Sequence, residues 1–150
     1  MIEKGIKAPN FKLPDQNGNI ISLDDFLGKR VVLYFYSKDM TQGCSRQAVA
    51  FKELYNDFVS KNAVVIGVSA DSSIRHKKFQ DKYNLPFILL SDESKEVINL
   101  YDVYKEKNMY GKKVMGVVRT TYLIDEKGII INAFTKVNPD LNPKQMLDIL

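Results

Sequence analysis

One cysteine, one histidine and no tryptophan stand among the 150 residues. A lone thiol closes no disulfide within the chain, and a single Cys with a single His cannot build the four-ligand set of a structural zinc site. Long apolar runs are also missing. The longest, residues 31–36 and 64–68, fall far below the ~20 residues of a membrane-spanning helix, and the opening residues 1–11 hold no apolar targeting core. A cytoplasmic protein is the reading these absences support. The 8 Gly and 5 Pro are too few and too scattered for a linker, collagen or low-complexity segment, and no internal repeat is visible. No charge sign dominates, since 22 Lys and Arg against 18 Asp and Glu leave +4. The basic clusters Arg75-His76-Lys77-Lys78, Lys105-Glu106-Lys107 and Lys112-Lys113 lie in polar sequence without interleaved aromatics. They read as solvated surface rather than as a nucleic-acid face, and His76 within the first of them as a surface residue. What is present, 45% hydrophobic and 27% charged residues, is the profile of one globular domain spanning 1–150. Such a chain buries roughly 70% of its unfolded surface and needs no staple to fold.

Phe11 and Leu13 alternate with polar neighbours, and the turn cluster Asp15-Gln16-Asn17-Gly18 leads to Ile20 and Ser22, which predicts a short N-terminal hairpin. Asp24 reads as the cap of a brief helix ended by Gly28. Residues 31–36 are apolar on both faces and too short for a helix, which suits a central strand of a buried sheet. After a polar loop, Ala48, Phe51, Leu54, Tyr55 and Phe58 recur at helical spacing. Residues 63–68 predict another buried strand, and Ser72 caps a charged helix towards Tyr83 that Leu85-Pro86 breaks before a strand over 87–90. A shorter helix is expected over 92–104, a second hairpin around Asp125-Glu126-Lys127-Gly128, and a closing helix over 143–150. Strands alternating with helices give an α/β architecture with a mixed sheet.

The position of the only cysteine carries most of the functional information. Cys44 follows the central strand and its polar loop, in what should be the first turn of the next helix. A thiol there meets unpaired backbone N–H groups and the positive end of the helix dipole, and both favour thiolate. The competing reading is a buried free Cys serving as a small hydrophobe, against which stand the polar neighbours Thr41-Gln42-Gly43 and Ser45-Arg46. With His76 poorly placed, a Cys/His dyad has no support, and an arginine is the natural substitute. Arg46, two residues beyond the thiol, and Arg119, entering a strand at Thr120-Thr121, are the candidates. Arg119 is preferred, because an arginine entering a buried strand is costly unless paired.

Gly5-Ile6-Lys7-Ala8-Pro9-Asn10-Phe11, Gly18-Asn19-Ile20-Ile21-Ser22-Leu23 and Gly28-Lys29-Arg30-Val31-Val32-Leu33-Tyr34-Phe35-Tyr36 together resemble the opening of the peroxiredoxins, the alkyl hydroperoxide reductase and thiol-specific antioxidant family. Lys38-Asp39-Met40-Thr41-Gln42-Gly43-Cys44 is similar to the active-site loop of the bacterioferritin comigratory protein, or peroxiredoxin Q, subfamily, and Gly116-Val117-Val118-Arg119-Thr120-Thr121 to its arginine strand. The resemblance implies a thioredoxin-like fold, a central mixed β-sheet flanked by helices with an N-terminal β-hairpin. It also implies a thiol peroxidase with catalytic Cys44, Thr41 and Arg119, substrate contacts at Gly43 and Ser37, and no metal or other cofactor. Its partners would be a hydroperoxide substrate and an external thiol (a thioredoxin, a glutaredoxin or a small cellular thiol), with neither nucleic acid nor membrane, and its working state a monomer. Two positions depart from the family pattern: Ser37 stands where it has a proline, and Val49 where many members carry a resolving cysteine. A thiol-disulfide oxidoreductase would need Cys-x-x-Cys, but Thr41 and Gln47 flank Cys44 at those spacings. A non-catalytic binding or peroxide-sensing module on the same fold is the alternative reading.

Overall fold

The computed structural model describes residues 1–150. An N-terminal hairpin, β1 (Lys12–Pro14) and β2 (Ile20–Ser22), leads through a turn of 3-10 helix over Leu23–Phe26 into β3 (Arg30–Phe35). There follow α1 (Gln42–Glu53), α2 (Tyr55–Ser60), β4 (Ala63–Ser69), α3 (Ser73–Tyr83), β5 (Ile88–Ser91) and α4 (Glu96–Leu100). A hairpin of β6 (Tyr104–Met109) and β7 (Lys112–Val117) precedes β8 (Thr120–Ile124), β9 (Ile130–Thr135) and α5 (Asn142–Asp148). No helix is long and apolar enough to cross a membrane.

The main sheet has five strands in the order β5-β4-β3-β8-β9. β3 lies at its centre, parallel to β4 and antiparallel to β8, and is apolar on both faces because both are covered. Val31, Leu33 and Phe35 point to one side, into a cluster with Ile66, Val68, Tyr122 and Ile124 under Phe11, Leu13, Leu23 and the α4 residues Val97 and Ile98. Val32, Tyr34 and Tyr36 point to the other, under Cys44, Ala48 and Phe51 of α1, Phe58 of α2, Phe79 of α3 and Met146 of α5. Each large apolar side chain so enclosed contributes about 1.5–3 kcal/mol relative to exposure. The second face is also tightly fitted. A Cβ on Gly67 of β4 would lie 2.9 Å from Cζ of Tyr34, so only glycine lets that ring lie flat on the strand.

Register decides where the site forms. Phe35, the last residue of β3, pairs with Thr120, the first residue of antiparallel β8. The loop leaving β3 and the segment entering β8 therefore meet at one end of the sheet's central strands, outside the carboxyl ends of its parallel strands, where open α/β sheets place their sites.

Four local expectations are corrected. The brief helix is capped by Ser22, whose N–H donates to Asp25 (2.9 Å), and not by Asp24, whose own N–H is held by Asn10. The helical stretch after Ala48 is two helices, broken at Leu54. α3 stops at Asn84, in the left-handed region at φ +52°, one residue before Leu85-Pro86. The helix expected over 92–104 is confined to Glu96–Leu100. Asp102 at φ +57° turns the chain out of it, and β6 and β7 form a largely exposed ribbon with a turn at Tyr110-Gly111.

Candidate active site

Cys44 lies in the first turn of α1, whose N-cap Thr41 is extended (φ −75°, ψ 154°) and whose first intrahelical bond runs from Ser45 N–H to the Thr41 carbonyl (2.9 Å). The N–H groups of Gly43 and Cys44 precede that bond and have no carbonyl partner in the helix. Cys44 is only 1% exposed, and its Sγ meets two polar neighbours, Nη2 of Arg119 at 3.4 Å and Oγ of Ser37 at 3.5 Å. Gly43 leaves room for the arginine. A Cβ there would lie 3.1 Å from Nη2, so the helix start and the guanidinium are in close contact through the missing side chain. The Thr41 hydroxyl does not cap the helix but donates to the Lys38 carbonyl (2.8 Å), closing the loop on itself.

Arg119 is held from behind. Its Nη1 donates to Oε1 of Gln47 at 2.7 Å, and the fully buried Gln47 donates in turn to Oδ1 of Asn142 at 3.2 Å. Asn142 also accepts from the Thr121 hydroxyl at 2.8 Å, so α1, α5 and β8 all fix the direction of the guanidinium. Sequence reasoning missed Gln47 and Asn142. The signal available for Gln47 was its place three residues after Cys44, on the same helix face. Arg46, the other candidate cation, points away and pairs with Asp140 at 3.0 Å on the exposed side of α1.

Burial is the largest single influence on the thiol and pushes its pKa up. The Arg119 guanidinium, the backbone at Lys38 and the hydroxyls of Thr41 and Ser37 outweigh it together, so the thiol sits below its ordinary range. The arrangement is a buried sulfur biased towards thiolate, with a fixed cation and free backbone N–H groups beside it. It can attack an electrophilic atom and stabilise negative charge next to it.

His76 is not a surface residue. It is fully buried, with Nδ1 at 2.7 Å from Oδ2 of Asp39 and Nε2 at 2.9 Å from the Leu90 carbonyl. The charged run misled because a helix spreads consecutive residues around its axis: Arg75, Lys77 and Lys78 face water while His76 and Phe79 face inward. Asp39, Asp71 and His76 bring potential ligand atoms within 4.8 Å of one another. Each is already engaged. Asp39 accepts from Tyr36, Asp71 accepts from Ser69, Arg75 and the Asp39 N–H, and both nitrogens of His76 have partners.

Residues 5–133 match the AhpC/TSA family. Among curated relatives, a putative peroxiredoxin bcp of Coxiella burnetii is 48% identical over 139 residues, covering 93% of this chain and 92% of that protein. The structure is similar to that of a cysteine-to-serine variant of PrxQ from Xylella fastidiosa, with a TM-score of 0.94 at 33% identity over 99% of this chain and 95% of that one. It is also similar to the Xanthomonas campestris bacterioferritin comigratory protein, solved in trapped-intermediate and ligand complexes bearing on its alkyl peroxide reduction, with a TM-score of 0.88 at 34% identity over 93% and 88%.

Proposed function

The chain belongs to the AhpC/TSA family as a peroxiredoxin, a thiol peroxidase on a thioredoxin fold, and from that premise we propose that Cys44 is its peroxidatic residue. The observation that carries this reading is the 3.4 Å contact between Arg119 Nη2 and Cys44 Sγ, which sets a permanent cation against the only thiol in the chain. The thiolate attacks the hydroxyl oxygen of a hydroperoxide along the O–O axis, and an S–O bond forms as the O–O bond breaks. The electron pair leaves on the distal oxygen, which takes up the proton released when the thiol ionised and departs as water or an alcohol. Cys44 is left as a sulfenic acid.

Arg119 stabilises the charge on the departing oxygen, and the N–H groups of Gly43 and Cys44 hold the peroxide in line. Thr41, whose hydroxyl lies between the Lys38 carbonyl and the sulfur, orients the substrate by accepting the peroxide hydrogen on a lone pair. Ser37 donates to the sulfur. With a single cysteine in the chain, an external thiol condenses with the sulfenic acid to a mixed disulfide and water, and a second thiol releases Cys44. We take 1–150 to act as one domain, as a monomer in the cytoplasm, where a reducing environment keeps a lone thiol reduced.

Rapid mixing of the reduced protein with one equivalent of peroxide tests the assignment. The thiol should be lost orders of magnitude faster than free cysteine, and Cys44→Ser should show no turnover. Loss at the rate of free cysteine would overturn the peroxidase reading in favour of a sensing or binding module, and turnover by Cys44→Ser would move the chemistry elsewhere.

A further inference from the structure

The peroxide chemistry makes no use of a buried polar cluster directly behind the active-site loop. Tyr36, Asp39 and His76 are each at most 1% exposed and lie under α3 and the end of β5. The Tyr36 hydroxyl donates to Oδ1 of Asp39 at 2.6 Å, and His76 Nδ1 lies 2.7 Å from its Oδ2. The backbone N–H of Asp39 donates to Asp71 at 2.8 Å, and Arg75 closes the far side of Asp71 at 2.9 Å.

Proton counting fixes the arrangement at His76. Nε2 faces the Leu90 carbonyl, which can only accept, so Nε2 carries a hydrogen. A second proton must lie between Nδ1 and Asp39, because without it two lone pairs would face each other at 2.7 Å. The imidazole is therefore a two-ended clamp from β5 to residue 39, in a place where a half-satisfied network would be costly.

The residue after this anchor is strained. Met40 has φ +68°, a left-handed conformation that costs a non-glycine residue on the order of 1–3 kcal/mol and persists only where its surroundings enforce it. Thr41 then starts α1, and Cys44 follows within the first turn. The loop is thus bent sharply between a buried anchor at 39 and the helix that carries the sulfur.

We propose that His76 is a positioning residue for Cys44: by holding Asp39 it keeps residues 37–41 in the conformation that sets the sulfur against Ser37 and Arg119. The inference rests on Cys44 being the peroxidatic residue. It assigns His76 no contact with substrate.

Two amide substitutions separate the ends of the clamp. His76→Asn keeps a donor near the place of Nδ1, towards Asp39, and loses the bond to Leu90. His76→Gln keeps one near the place of Nε2, towards Leu90, and loses Asp39. The measurement is the pH profile of the single-turnover rate with peroxide, whose midpoint reports the Cys44 thiol among the groups that face it: Arg119, Ser37, Thr41, Tyr34 and Lys107. His76→Gln should be slower by about 10- to 100-fold, the scale expected of a displaced reacting group, with its midpoint moved up. His76→Asn should keep the wild-type midpoint and stay within the wild-type order of magnitude.

A merely structural role would lower the stability of both and shift neither midpoint. Equal rates and equal midpoints in the two variants would therefore overturn the inference, as would equal losses in both. If His76→Gln does not fold, Tyr36→Phe, which removes only the hydroxyl that Asp39 accepts, should move the midpoint in the same direction, and an unmoved midpoint there overturns it as well. A wild-type protein whose thiol ignores peroxide refutes the peroxidase reading itself, which is a different result from a fast wild type with indifferent variants.

Discussion

Arg119 links the two halves of the site, since one nitrogen of its guanidinium meets the sulfur and another is fixed by Gln47. Its charge opposes the burial that pushes the thiol up, and the net displacement is downward. The reactive form is the thiolate, so the rate with peroxide should rise with pH only to the folded midpoint and then level off, at a pH where free cysteine, near 8.5, is still climbing. The same displacement adds stability above the unfolded thiol's pKa and loses it as pH falls through the folded one. Arg119→Met should move the midpoint up and slow the reaction. Lys107→Met should do so by less: burial first, then Arg119, lower the pKa of Lys107, while Cys44 raises it, and that coupling must act equally in the other direction.

Gly43→Ala is the sharper test of close approach. Alanine in a helix is favoured over glycine by up to ~1 kcal/mol, yet its methyl would press on Nη2 from 3.1 Å. Stability should hold or rise while the peroxide rate falls at least several-fold, and a variant that keeps both would show that Arg119 has room to retreat. Cys44 and Arg119 could be singled out from the sequence because each sits where a strand meets a loop and each is of a costly or reactive type. Gln47 could not, since a glutamine on a helix reads as solvent-facing until its partner is seen, and His76 was hidden by the charges either side of it.

At the scale of elements, the first turn of α1 is where chemistry and folding meet. Cys44 faces the core while Val49, five residues on, is half-buried beside a groove with Met40, Arg46 and Tyr83. A regular helix separates residues so spaced by about 7.5 Å along its axis and turns them to different faces, beyond the reach of a disulfide. Val49→Cys should therefore form an internal disulfide on one equivalent of peroxide only if that turn unwinds, read as a loss of two hydrogens by intact mass. A stable added oxygen would show that the turn stays closed.

Gly67 makes the opposite demand, for rigidity. Tyr34 is stacked between Phe51 (4.7 Å between centroids) and Tyr36 (5.4 Å), so a methyl at 67 has nothing to push aside, and Gly67→Ala should cost roughly 1–3 kcal/mol in denaturant melts. The buried strands β3 and β4 were legible as apolar runs because both faces are covered. The β6–β7 ribbon was not, because it stands outside the main sheet and buries almost no face, so no hydrophobic alternation marks it.

Across the whole molecule the two clusters share an unusual content, four buried tyrosines, Tyr34, Tyr36, Tyr101 and Tyr122. Burial is the largest cause by which the phenol of each is raised, Tyr122 to about 12. The unfolded chain would ionise them near 10. A raised folded value means that the stabilisation is complete below the unfolded value and is lost as pH rises through the folded one. Stability should accordingly be steady up to about pH 10 and fall continuously through about 12, with the phenolate absorbance of these four, beyond that of the chain's other four tyrosines, appearing together with unfolding rather than before it. Lysines also lose charge in this window, so the bare pH dependence does not isolate the tyrosines. Tyr122→Phe does. It loses the bond to the Tyr101 carbonyl, 2.6 Å long, and the one its oxygen accepts from the Ile2 N–H, 3.0 Å long, and should be less stable near neutrality by about 1–3 kcal/mol. Its denaturant midpoint should nevertheless decline less steeply between pH 10 and 12 than that of the unmodified chain, because one raised phenol no longer drives the unfolding. Parallel curves for the two proteins would assign the alkaline loss to the lysines instead.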